Sequence, residues 1–175
     1  MTRVLVLGGA RSGKSTFAEG LVAARSSVDY IATAPHRPGD EEWAERVRVH
    51  RERRPEGWRT IETHDVAGVL RTAGSPALVD CMGLWLSVAM DRAGVWEQRP
   101  GADGALRIAT RDLLDAWANP HRDVVAVSNE VGLGVVPGTP SGRRFRDDLG
   151  RLNMALAAAA DEVWFLVAGL PQKVK

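Results

Sequence analysis

The chain has 175 residues, with 23 Lys and Arg against 22 Asp and Glu and 45% apolar residues. That length suits one domain with a sizeable core, and the near-balanced charge excludes a nucleic-acid footprint spread over the whole chain. A single cysteine, Cys81, excludes an internal disulfide; the opening MTRVLVLGG has no signal-peptide pattern, and no apolar run approaches the ~20 residues of a membrane span, so a reducing cytoplasm is the expected setting.

In chain order, RVLVL (3–7) reads as a buried strand and 14–25 as the helix that follows it. VDYIA (28–32) is a second strand, 40–53 and 65–73 are helices, and ALVDC (77–81) is a third strand. Helices at 83–92 and 103–118 flank a loop signal, EQRPGADG (97–104). DVVAVS (123–128) is a strand, VPGTPSG (136–142) a lid-like loop, 142–160 a helix and EVWFLV (162–167) the last strand. In the last helix Phe145, Leu149, Leu152 and Leu156 recur at spacings of four, three and four, which makes one apolar face. Short apolar strands alternating with helices predict an α/β domain with a mostly parallel sheet and right-handed crossovers.

GGARSGKS, residues 8–15, fits G-x-x-x-x-G-K-[ST] at Gly8, Gly13, Lys14 and Ser15. A loop wrapped round phosphate needs tight turns with φ > 0 and inward backbone N–H groups, which glycine allows. Gly8, Gly9, Ala10, Arg11, Ser12 and Gly13 are therefore the expected cradle; Lys14 supplies a point charge to the phosphates and Ser15 a hydroxyl to Mg²⁺. Its place between a strand and a helix is the one the motif requires. The matching metal carboxylate is expected at the end of a neighbouring strand, where Asp80 stands, although an Asp there also serves as an ordinary helix cap. Ser128, Asn129 and Glu130 end another strand and should face the same crevice, because ligands in open α/β sheets bind at the carboxyl ends of the strands.

The run ERVRVHRERRPEGWRT (45–60) sets His50 among Arg46, Arg48, Arg51, Arg53, Arg54 and Arg59. On a helix Arg46, His50 and Arg53 or Arg54 share one face. The composition leaves three meanings open. It is a solvated face paired with Glu42, Glu45, Glu52 and Glu56, a single-stranded nucleic-acid track with Trp43 and Trp58 for stacking, or a second phosphate site in which His50 attacks phosphorus. The other histidines have simpler places: His36 and His64 at the surface or beside a cap, His121 in a turn. Cys81 is a small core residue, and Trp85, Trp117 and Trp164 pack the core.

The ordered segments GGARSGKS, YIATA, HRERRPEGWRTIE, LVDCMGLWLS, SNEVGLGVVP, RRFRDDLGRLN and AAAADEVWFLVAGLPQKVK resemble the bifunctional adenosylcobinamide kinase / adenosylcobinamide-phosphate guanylyltransferase family. The resemblance runs from residue 3 to the C-terminus. It implies a RecA-like P-loop NTPase fold of one domain over 1–175, with 162–167 and the KVK end forming an antiparallel edge hairpin, and a homotrimer. It implies ATP or GTP and Mg²⁺ as co-reactants, adenosylcobinamide and its phosphate as partners, and no nucleic acid. Phosphorylation of adenosylcobinamide is then followed by GMP transfer from GTP through a GMP-histidine, for which His50 is the matching position. Thr33, Arg51, Arg54 and Glu62 join the nucleotide-contacting set on the same grounds, and Arg143, Arg144 and Arg146 approach the substrate phosphate. The rival expectations are a P-loop small-molecule kinase without guanylyl transfer and a nucleotide-regulated RNA-binding protein.

Overall fold

The computed structural model describes residues 1–34, 39, 41, 45, 48 and 54–175. Most of the helix expected over 40–53, with Arg46, His50, Arg51 and Arg53, lies outside the described residues, as does His36. The elements in chain order are β1 (Arg3–Gly8), α1 (Lys14–Val22), β2 (Val28–Ala32), β3 (Trp58–Glu62), α2 (Val66–Arg71) and β4 (Ala77–Asp80). They continue as α3 (Met82–Ala93), α4 (Ala102–Ala118), β5 (Val124–Asn129), α5 (Pro140–Ala159), β6 (Glu162–Val167) and β7 (Leu170–Lys173).

Among the described residues the seven strands form one sheet in the order β3-β2-β4-β5-β1-β6-β7. Every pair is parallel except β6 with β7, the expected antiparallel edge hairpin. The strand β3 was not expected. Its WRTIE sequence places charge at Arg59 and Glu62 on an outer strand, with an intermediate-to-exposed burial pattern, so it lacks the continuous apolar signal of its neighbours. Elsewhere the differences are at element ends: α2 spans six residues of the expected nine, and α5 begins at Pro140, inside the expected loop. Thr139 caps α5 by accepting from the Gly142 amide, with Pro140 in the first turn, and that pairing explains the early start.

Alternation along the strands divides the core in two. Leu5, Val79 and Ala126 face α2 to α5, whereas Val6, Leu78, Val125 and Val127 face α1 through Ala18 and Val22. The connection from β1 therefore crosses one face on its way to β2, while the connection from β5 to β6 crosses the other in the opposite direction along the sheet. That reversal beside β1 makes a crevice above the carboxyl ends of the strands. Leu149, Leu152 and Leu156 of α5 are fully buried, each contributing roughly 1.5–3 kcal/mol. Trp85 and Trp117 are in the core as expected, and Trp164 is partly buried against Phe17, ring centroids 5.2 Å apart.

The amino ends of the strands are closed by ion pairs. Asp29 at the start of β2 is 3% exposed and accepts from Arg122 Nη1 (2.5 Å) and from Arg59 Nε and Nη2 (both 2.9 Å). Arg122, itself buried, also donates to the carbonyls of Thr72 (2.7 Å) and Ser75 (3.1 Å), so one guanidinium ties β2 to the connection between α2 and β4. Burial pushes the Asp29 carboxyl up, but the hydrogen bonds from Arg59 and Arg122 outweigh it and hold the group below its ordinary value. Across the sheet, Arg3 binds Asp161 through Nε and Nη2, and those bonds together with the Arg3 amide hold Asp161 at about 2.

Arg122→Met should cost about 3–5 kcal/mol of unfolding free energy in urea titration, because it leaves a buried carboxylate with only the exposed Arg59 for a partner. Asp29 and Asp161 both titrate lower in the folded chain than in the unfolded one. Their stabilisation is present above the ordinary carboxylate range and is lost as the pH falls through the folded values, for Asp161 near 2. Asp161→Asn should flatten the acid limb of a stability-versus-pH curve between about pH 4 and pH 2.

Candidate active site at the carboxyl edge of the sheet

Residues 8–15 close over the end of β1 and lead straight into α1. Gly13 is the cap residue of that helix at φ 87°, and Arg11 is also left-handed at φ 54°. Gly8 has no room for a side chain: a Cβ there would stand 2.4 Å from Ser12 Oγ and 2.9 Å from the Leu166 carbonyl. The Ser12 carbonyl accepts from the Gly169 amide (2.9 Å), so the turn between β6 and β7 backs the loop. Lys14 Nζ donates to the Gly9 carbonyl (3.0 Å), which folds the ammonium over the loop it follows. Ala10 and Arg11 are exposed, while Gly9, Lys14 and Ser15 are half-buried. The first turn of α1 contains no acidic side chain, so nothing there opposes an anion at its positive end.

Asp80 ends β4, two strands from β1, with β5 between them. Its Oδ2 accepts from the Tyr30 hydroxyl (2.8 Å), and Oδ1 has no protein partner among the described residues. Ser15 and Asp80 offer hydroxyl and carboxylate oxygens, the hard donors that Mg²⁺ takes. Among the described residues no group of three or more His, Cys, Asp or Glu gathers to hold a metal. A magnesium site normally has that character, with one carboxylate, a hydroxyl, substrate phosphates and water, so the residues present fit the ion.

The side chains around Asp80 form one polar network. Thr33, fully buried, donates to the Cys81 carbonyl (2.7 Å) and accepts from the Cys81 amide (2.9 Å). Its hydroxyl is thus engaged in joining the ends of β2 and β4. Cys81 donates from Sγ to Asn129 Oδ1 (3.4 Å). Burial, then the Asp80 carboxylate, push that thiol up to about 11, so it stays protonated, as a core cysteine should. Asn129 stands in register with Gly8 at the mouth of the crevice, and its carbonyl accepts from Asn153 Nδ2 (3.0 Å). Ser128, expected in the crevice, is buried and donates to Asn153 Oδ1 (2.6 Å). The Glu130 amide donates to the Gly8 carbonyl (3.0 Å), and its carboxylate accepts from the Gly132 amide (2.5 Å).

Arg54 is half-buried, with its guanidinium carbon 3.3 Å above the Tyr30 ring and Nη1 donating to Thr60 Oγ1 (2.9 Å). Its Nε is buried without a partner among the described residues. Glu62 is exposed at the end of β3, in register with Ala32. His50 and Arg51 lie outside the described residues. Of the arginines expected near the substrate phosphate, Arg143 donates to the carbonyls of Pro137 and Gly138, and Arg144 pairs with Asp148 and Asp103. His64 is half-buried, and burial followed by the nearby Arg92 charge lowers its pKa; the cap beside it is Asp65, which accepts from the Gly68 amide (2.8 Å). Tyr30, Asn153 and Gly169 were not picked out from sequence. Tyr30 and Asn153 sit inside apolar periodic segments, where they read as core, and Gly169 is a turn glycine whose contact with residue 12 has no sequence signal.

In structure the chain is similar to the assembled ATPase EscN of the enteropathogenic Escherichia coli type III secretion system, with TM-score 0.53 and 15% identity, over 95% of this chain and 43% of that one. That likeness shows the fold, a RecA-like P-loop NTPase fold. In sequence it is 39% identical to the bifunctional adenosylcobalamin biosynthesis protein CobU of E. coli K12, over 98% of this chain and 99% of that protein. It is 42% identical to the bifunctional adenosylcobalamin biosynthesis protein CobP of Pseudomonas aeruginosa, over 99% and 97%, and 38% identical to the CobU protein of Salmonella typhimurium, over 98% and 99%. The model of the cobinamide kinase / cobinamide phosphate guanyltransferase family matches residues 4–174. With a phosphate-binding loop at the carboxyl edge of the sheet and this near-complete match, the chain belongs to the cobinamide kinase / cobinamide phosphate guanyltransferase family.

Proposed function

We propose that the chain is one nucleotide-binding domain that catalyses two successive transfers. In the first, the hydroxyl oxygen of adenosylcobinamide attacks the γ-phosphorus of ATP or GTP, the bridging P–O bond breaks, and a nucleoside diphosphate leaves. In the second, a neutral ring nitrogen of His50 attacks the α-phosphorus of GTP and displaces pyrophosphate, forming a P–N bond. A phosphate oxygen of adenosylcobinamide phosphate then attacks the same phosphorus, the P–N bond breaks, and adenosylcobinamide-GDP is released. The observation that carries this proposal is the 39–42% identity to bifunctional relatives over 98–99% of the chain, because it spans both the P-loop and the His50 segment.

The site residues support the roles. Phosphoryl transfer needs positioning and charge neutralisation more than a strong base, and the first turn of α1, Lys14 and Arg11 present positive charge where a triphosphate would lie. Ser15 and Asp80 would hold Mg²⁺, which when bound neutralises phosphate charge. Arg51 and Arg54 hold phosphate oxygens in the guanylyl step, and Glu62, exposed at the end of β3, takes the ribose or guanine side. Histidine suits the covalent step because its ordinary pKa, about 6.5, leaves much of it neutral near pH 7. The exposed apolar side chains Leu133, Val135 and Val136, just past β5, suit a bulky corrinoid at the lip of the crevice. Among the described residues no helix is long and apolar enough to cross a membrane. The single free thiol, buried at Cys81, is compatible with a cytoplasmic enzyme, and the homotrimer rests on the family resemblance.

Two experiments test the proposal. α-Labelled GTP should leave an acid-labile, alkali-stable label on the protein, absent from His50→Ala; persistence of the label in that variant removes His50 as the nucleophile. Absence of label from the wild-type chain, with γ-phosphate transfer intact, leaves only the small-molecule kinase. Lys14→Ala should lower kcat/KM of the kinase step by about 10²–10³, the loss typical of one aimed positive donor, as measured by release of nucleoside diphosphate.

A further inference from the structure

We propose that Tyr30 is a positioning residue for both transfers: its hydroxyl fixes the Asp80 carboxylate, and its ring supports the Arg54 guanidinium. The inference rests on Asp80 serving the metal and Arg54 the phosphates. Tyr30 lies in the middle of β2, is 3% exposed, and is the one tyrosine in the chain. Its register partner on β4 is Leu78, and Asp80 is opposite Ala32, two residues further on. The phenol spans that diagonal and brings its oxygen 2.8 Å from Asp80 Oδ2. No shorter side chain at position 30 reaches Asp80 from there, and phenylalanine reaches it without a donor.

The contact leaves Asp80 with one oxygen held and Oδ1 without a protein partner among the described residues, which is the arrangement of a carboxylate aimed at a ligand. On the other side of the ring, the Arg54 guanidinium carbon is 3.3 Å from the centroid, within cation–π range. Arg54 also donates to Thr60, and Thr60 is the register partner of Tyr30 on β3. Adjacent positions of two paired strands therefore hold Arg54 at the end of the segment that carries His50. One side chain joins the metal carboxylate of the first transfer to a phosphate-binding arginine of the second.

Because the chain has one tyrosine, growth with 3-fluorotyrosine labels position 30 alone. The ¹⁹F resonance of the full chain should shift when Mg²⁺ is added to the complex with a non-hydrolysable GTP analogue, and that shift should disappear in Asp80→Asn. A resonance that ignores Mg²⁺ while calorimetry shows the ion binding overturns the proposal. Tyr30→Phe keeps the ring and removes the donor. Mn²⁺ affinity in the presence of the analogue, measured by electron paramagnetic resonance, should fall about tenfold, the usual loss for a residue that orients a metal ligand, with covalent labelling from α-labelled GTP retained at saturating metal. Tyr30→Leu should weaken Mn²⁺ equally and lower the labelling rate as well. Unchanged Mn²⁺ affinity in Tyr30→Phe, alongside a loss in Asp80→Asn, overturns the role of Tyr30; no loss in Asp80→Asn overturns the reading of Asp80 beneath it.

Discussion

The backbone bond from the Gly169 amide to the Ser12 carbonyl joins the last hairpin of the chain to its first loop, and the phosphate cradle depends on it. A loop of residues 8–15 that turns its amides inward must leave its carbonyls outward, and an outward carbonyl at a sheet edge needs a donor. Gly169, itself at φ 81°, brings one. The same turn lies close behind Gly13, where an added Cβ would be 3.2 Å from the Gly169 Cα, and β6 crowds Gly8 through the Leu166 carbonyl. The parallel pairing of β1 with β6 is therefore a condition of the loop's shape. The antiparallel strand β7 keeps β6 from being an open edge and returns the chain so that the turn falls at residues 168 and 169.

The two ends of the sheet are built on opposite principles. At the amino ends, charges are paired to saturation: Asp29 receives three guanidinium bonds from two arginines, and Asp161 receives two guanidinium bonds and an amide. At the carboxyl ends polar groups are only half-satisfied. Asp80 has one oxygen engaged, Asn129 has its Oδ1 engaged by a thiol, Ser12 Oγ is buried without a partner among the described residues, and so is Arg54 Nε. Buried polar atoms without partners destabilise a fold; Trp58 Nε1, at the start of β3, is another among the described residues, but those that gather round the P-loop and Asp80 stand where a ligand would supply what the protein does not. The saturated end offsets the cost of the unsatisfied one.

Much of this was legible in the sequence because it is written in short-range pattern. The cradle reads from Gly8, Gly13, Lys14 and Ser15 at fixed spacing, and Asp80 reads from its position after ALV. Strands buried on both faces announce themselves as apolar runs. β3 does not, because an outer strand carrying Arg59 toward Asp29 is polar where its neighbours are not. The roles of Thr33 and Tyr30 were illegible for another reason: each depends on a partner about fifty residues away, fixed only by the register of β2 with β4. Strand order is a long-range property, and sequence spacing holds no record of it.

The arginine run shows the same limit from the other side. Composition treats its arginines alike, yet the described ones have three different environments. Arg48 is exposed and pairs with Glu45 three residues before it, as on any solvated helix face. Arg59 lies along Asp29 with two parallel bonds and belongs to the structural clasp at the amino ends of the strands. Arg54 alone of these three stacks on an aromatic ring, that of Tyr30, whose hydroxyl donates to Asp80. A nucleic-acid track needs a row of cations turned to solvent with their donors free for phosphates, and two of these three are already matched to carboxylates. Arg54 and Arg59 are five positions apart in sequence, and neighbouring positions of the paired strands β2 and β3 receive them differently: Arg54 meets Thr60 and the Tyr30 ring, whereas Arg59 meets Asp29. Among the described residues the run is therefore several environments in succession, and the meaning of each arginine is decided by the neighbour its side chain meets.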